Sequence, residues 1–164
     1  MRAAAESVSE DYRDLRDMVG LHADDEQYDF DILFRDYRRA GGTVASIDSL
    51  KRNPGGEALN AYLHARAREP DPVGLLGAIY VIEGTGQRIV PALLPLIRRQ
   101  IGIAAGSFRF LQYHGANDAA HLQRWLGSVR YVMDRDASGN AARAIAATAR
   151  DTAALYLMQM EHIG

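Results

Sequence analysis

Tyr113-His114-Gly115-Ala116-Asn117-Asp118-Ala119-Ala120-His121 is the stretch on which the reading of this chain turns. Its three potential metal ligands, His114, Asp118 and His121, stand at i, i+4 and i+7. On an α-helix those offsets fall at 0°, about 40° and about −20°, so all three side chains leave in one direction. Imidazole and carboxylate on one helical face suit a first-row transition metal. The competing reading is a solvated polar face on which the spacing is accidental.

Working outward, the run Leu75-Leu76-Gly77-Ala78-Ile79-Tyr80-Val81-Ile82-Glu83-Gly84 holds one carboxylate among apolar residues. A buried carboxylate without a partner is costly, so Glu83 calls for a cation or several donors. Arg88 and Arg124 are the ordinary candidates for that cation, and a helix end at Gly84 would instead let Glu83 reach water. The metal reading brings the Glu83 helix against His114, Asp118 and His121.

Composition sets the frame. The 164 residues suffice for a single helical domain over 1–164 with a substantial core. Hydrophobic residues make up 48% and charged residues 24%, which is globular rather than disordered. A net charge of −2 provides no global positive field for nucleic acid. The absence of cysteine removes disulfides, thiolate metal sites and cysteine nucleophiles together. No apolar run reaches the roughly 18–20 residues of a membrane span. The N-terminus lacks an apolar signal core, so a cytoplasmic location is expected.

The rest of the chain reads as helices. Residues 3–19 place Val8, Tyr12, Leu15 and Val19 on one stripe, with Gly20 as a stop. Asp24-Asp25-Glu26 then opens a second helix that ends at Arg38-Arg39 before Gly41-Gly42. A connection with one short turn at 46–50 leads to a third helix over 55–68, closed by Glu69-Pro70-Asp71-Pro72. A helix over 73–84 is interrupted by Gly84-Thr85-Gly86 and resumes to Gln100, with Pro95 as a kink. Residues 107–133 carry the opening motif and the only tryptophan, Trp125, with Gly115 as a break. Ser138 is expected to cap the last helix, 140–162. The expected fold is an all-α bundle of six or seven helices.

Taken together, the Tyr80–Gly84 segment on one helix and His114, Asp118 and His121 on a later one resemble the haem-oxygenase-like di-iron oxidases. These are relatives of thiaminase II (TenA) and of the enzyme that completes pyrroloquinoline quinone. The resemblance spans about 72–132 and implies a TenA-like helical bundle, two iron ions and activation of dioxygen on a small organic substrate. It assigns metal ligation to Glu83, His114, Asp118 and His121. Tyr80 and Tyr113, adjacent to these ligands, are candidates to orient them.

That family also supplies an earlier Glu-x6-His pair, which this chain lacks at the expected place. The chain is also short for the family, as if N-terminal helices were missing or reduced. Two sets offer a substitute. His22, Glu26 and Asp29 repeat the i, i+4, i+7 spacing on a helix one removed from the Glu83 helix. Glu57 and His64 have the literal spacing but lie on its direct neighbour. The first set is preferred on that topological ground.

The expected function is a non-haem iron oxidase or oxygenase acting on a small molecule. The alternatives are a haem oxygenase-like enzyme with His22 as its axial ligand, a TenA-like enzyme, and an inactive binding or regulatory module. No nucleic acid or membrane partner is expected, and a homodimer is compatible with the sequence.

Overall fold

The computed structural model describes residues 1–162, with Asp118 described by its backbone alone. Among the described residues there are seven α-helices and no strand. They are α1 (Arg2–Glu6), α2 (Arg13–Glu26), α3 (Asp29–Arg39), α4 (Pro54–Ala67), α5 (Leu75–Gln100), α6 (Arg109–Met133) and α7 (Asn140–Glu161). Short 3-10 turns cover Glu10–Tyr12, Ile47–Ser49 and Ala105–Phe108.

Helix α5 is the centre of the bundle, with α6 and α7 packed along it. Its apolar N-terminal half supplies Leu75, Leu76, Ala78 and Ile79 to a core shared with Leu15 and Val19 of α2 and Trp125 and Val132 of α6. Leu15 and Leu76 are almost wholly enclosed, each worth about 2 kcal/mol of apolar burial. The α5–α7 approach is close because Gly77 faces the Ile145 carbonyl, where a Cβ has no room. Across α7, Gly55 of α4 lies against the Met158–Gln159 backbone in the same way.

Several expected boundaries are corrected. Residues 3–19 do not form one helix. The chain breaks at Ser7–Ser9, where Asp71 accepts the Ser9 amide through its side chain (2.6 Å) and donates its own amide to the Ser7 carbonyl (3.0 Å). Gly20 does not stop α2, which continues through it to Glu26. Asp24, Asp25 and Glu26 therefore sit in the last turn of α2 and do not open a second helix. Gly84-Thr85-Gly86 does not interrupt α5, nor does Gly115 break α6. A helical glycine costs about 1 kcal/mol relative to alanine, and packing across these long helices outweighs it. At the start of α7 Ser138 accepts the Asn140 amide at 3.1 Å, but Asp136 holds the Ala141 amide at 2.6 Å and shares the capping.

Two local features fix the register around the future site. The turn Gln27–Tyr28 separates α2 from α3, and Asp29 and Asp31 stand in the first turn of α3, where the helix dipole favours acids. Further along α3 the buried Asp36 accepts the Phe110 amide at the start of α6 (2.7 Å) and pairs with Arg39 (3.3 Å).

Candidate metal centre

Four helices bring six imidazole and carboxylate side chains together in two groups of three. The first is His22 of α2, Glu83 of α5 and His121 of α6; the second is Glu26 of α2, Asp29 of α3 and His114 of α6. Within each group the ligand atoms all lie within 4.8 Å of one another. His22 Nε2 is 3.0 Å from Glu83 Oε1, and His114 Nε2 is 3.3 Å from Asp29 Oδ2. His121 Nδ1 lies 3.1 Å from Glu26 Oε1 and joins the groups.

Local sequence explains the convergence. His22 and Glu26 are i, i+4 on α2, and His114 and His121 are i, i+7 on α6, so each pair shares a face. Asp29 does not continue the α2 face as the sequence spacing suggested. It comes from α3, returned beside Glu26 by the two-residue turn. The side chain of Asp118, the remaining member of the sequence motif, lies outside the described residues.

Neither expected arginine partner serves Glu83. Arg124 pairs with Asp25 at 3.0 Å, and Arg88 is exposed. Glu83 Oε1 instead accepts a hydrogen bond from Trp125 Nε1 at 3.0 Å. Trp125 also stands edge-on to His22, with ring centroids 4.8 Å apart. The sequence reading missed this role, although a signal was present: Trp125 is four residues after His121 and so on the same face. Tyr80 is 42% exposed on α5. Tyr113 is edge-on to the His114 ring at 5.4 Å, and Phe110 lies closer at 4.3 Å. Helix α4 leaves Glu57 and His64 in solvent, with Glu57 3.8 Å from Arg52, and neither enters the cluster.

The electrostatics are unusual for a solvated face. Three carboxylates meet in a partly enclosed space, and among the described residues no lysine or arginine lies within 4.0 Å of Glu26, Asp29 or Glu83. Burial, then the adjacent Asp29, pushes the Glu26 carboxyl up from an ordinary 4.5 to about 7, with His22 and His114 pulling the other way. Among the described residues, Glu83 Oε2 and His22 Nδ1 are buried without a hydrogen-bond partner. An unpaired buried carboxylate oxygen among imidazoles is what a divalent cation satisfies, so the donor set fits a metal.

The raised Glu26 value has a sign that can be checked on metal-free protein. A carboxyl that holds its proton more tightly when folded adds stability below pH 4.5, and that stability is lost as pH rises toward 7. The melting temperature of wild type relative to Glu26→Gln is therefore expected to fall across this interval. A difference that stays flat or rises contradicts the assigned shift.

An all-helical bundle with carboxylates and imidazoles gathered from four helices defines a candidate non-haem metalloprotein. Residues 31–157 match the family model described as iron-containing redox enzyme, and the chain belongs to that family. The matched region contains Glu83, His114 and His121 but begins after His22, Glu26 and Asp29. No curated protein and no solved structure matches the chain.

Proposed function

We propose that the protein is a di-iron oxidase or oxygenase that activates dioxygen on a small organic substrate. The observation that carries this reading is the pairing of two three-ligand groups through Glu26 and His121. His22, Glu83 and His121 would hold one ion, and Glu26, Asp29 and His114 the other. Iron held there supplies the binding and reduction of dioxygen.

The chain's own residues have separable tasks. Trp125 fixes one oxygen of Glu83 and leaves the other for the metal. Glu26, protonated in part at neutral pH without metal, releases that proton when a cation takes its place. The first group is more enclosed: its side chains are 9–10% exposed, against 13% for Asp29 and His114 and 25% for Glu26. Solvent therefore reaches the cluster more readily from the Glu26 side.

Haem suits these residues poorly. His22, the only axial candidate, has its Nε2 3.0 Å from Glu83 and its ring enclosed by Trp125 and His121. A TenA-like hydrolase lacks its nucleophile, since the chain has no cysteine.

The test is anaerobic titration with ferrous iron, followed by metal analysis and Trp125 fluorescence. The expected result is a pair of ions per chain, with emission quenched as the ion beside Glu83 binds. Binding of a single ion sinks the two-ion reading. No binding sinks the site altogether.

A further inference from the structure

The pole of the bundle next to His114 is strongly basic. It is built from the ends of three helices: Arg38 and Arg39 close α3, Arg98 and Arg99 close α5, and Arg109 opens α6. Their proximity is fixed by contacts. Arg98 lies over the Phe108 ring at 5.7 Å, and Arg39 lies over Gly106 in the same turn. Asp36 ties α3 to the first turn of α6 through the Phe110 amide. All five arginines are exposed. Residues 37–47 and 84–117 contain no Asp or Glu, and Asp36, buried beneath, is the carboxylate that faces Arg39.

This polarisation runs against the rest of the chain. Of 19 basic and 21 acidic side chains, the pole takes five arginines and Asp36. The body keeps 14 basic and 20 acidic ones. An extended anionic surface, such as a bilayer or a duplex, would also be repelled by the net negative charge of that body. A compact partner with a limited acidic face would meet the arginines alone.

The interior behind the pole indicates what such a partner brings. Phe110 has its amide held by Asp36 and its ring 4.3 Å from His114. Arg109 is five residues before His114, roughly 7.5 Å along the helix. The chain has no cysteine, so it carries no thiol pair or iron–sulfur cluster of its own to store electrons. A monooxygenase reaction puts one oxygen atom into the substrate and reduces the other to water, and the two further electrons this takes come from an outside donor.

We infer that the arginine pole is the docking surface for a small acidic one-electron carrier protein. This rests on the di-iron reading for its purpose but not for its test. In each encounter the carrier would be oxidised by one electron, and iron held by the cluster would be reduced by it. Exposed Leu96 and Ile101, beside the arginines, give the contact a small apolar component. Transient redox contacts are characteristically small and charge-steered.

The probe is a reduced or oxidised plant-type [2Fe–2S] ferredoxin, an acidic protein, titrated against the full chain by calorimetry. Binding is expected at low salt and is expected to weaken steeply between about 0.05 and about 0.3 M salt. Arg99→Glu with Arg109→Glu should raise Kd by about tenfold or more. A control with the same change in net charge, Arg68→Glu with Arg150→Glu, should change it by less than about twofold. Equal losses in both variants overturn the inference, as does absence of ferredoxin binding. Salt-sensitive capture of phosphatidylglycerol vesicles or duplex DNA that depends on the pole, without ferredoxin binding, also overturns it. Iron content is measured on the same samples. Ferredoxin binding at the pole of a chain that takes no iron sinks the di-iron reading alone, whereas iron uptake without ferredoxin binding sinks the docking alone.

Discussion

Iron retention is expected to collapse in the double variant His22→Ala with Asp29→Ala and to survive in Glu57→Ala with His64→Ala. The first pair removes one member from each three-ligand group, so neither ion keeps its set. Loss of one of three protein ligands should lower metal affinity by more than the roughly 10–100-fold that loss of an outer-shell partner costs. The second pair lies on the exposed face of α4, where the structure gives Glu57 only an arginine neighbour at 3.8 Å. Iron per chain after anaerobic loading and desalting decides between them. Retention by the first variant, or loss by the second, reverses the assignment. Circular dichroism on the metal-free variants checks that each is folded.

The other large effect is expected at Asp36, some distance from any ligand. Asp36 is 4% exposed, accepts the Phe110 amide and pairs with Arg39. Asp36→Ala strands that amide, while Arg39 stays in water, and should cost about 2–3 kcal/mol. For a chain of this length that lowers Tm by roughly 4–12 °C. Asp36→Asn keeps an oxygen for the amide and should lose less than half as much. Position adds a second readout. Asp29 and Asp36 are seven residues apart on one face of α3, and Phe110 and His114 are four apart on one face of α6. The Asp36 bond therefore sets the register that holds Asp29 beside His114. Asp36→Ala should lose iron more readily than Leu59→Ala, a core truncation on α4 of similar cost. Equal retention by the two would reduce Asp36 to an ordinary stabilising residue.

These cases also show what the sequence could convey. Helical period and the two Pro-rich or Gly-rich breaks at Gly41–Gly42 and Pro70–Pro72 were readable, because they are local. The apparent stops at Gly20, Gly84 and Gly115 misled, because a glycine's cost is set against packing partners far away in the chain. Gly115, for instance, sits close enough to Val90 that a Cβ there would meet it at 3.4 Å. In the site, His22 with Glu26 and His114 with His121 were legible as same-face pairs. The place of Asp29 was not, since it depends on how two residues, Gln27 and Tyr28, turn the chain. Trp125 escaped notice because the decisive fact, an indole N–H meeting Glu83 of another helix, is a tertiary contact.

The two prolines of α5 divide one helix into parts with different lifetimes. Pro91 and Pro95 have no amide hydrogen, so the carbonyls of Gln87 and Pro91 lose their usual partners four residues on. Before that point α5 is clasped by α7 at Gly77 and holds Glu83; beyond Pro95 it presents Leu96 and the terminal arginines to water. Amide hydrogens ahead of Gln87 should therefore exchange only when the whole fold opens, while those past Pro95 exchange through local fraying. One continuous helix thus has a slow end that keeps Glu83 still and a fast end free to adjust to whatever it touches.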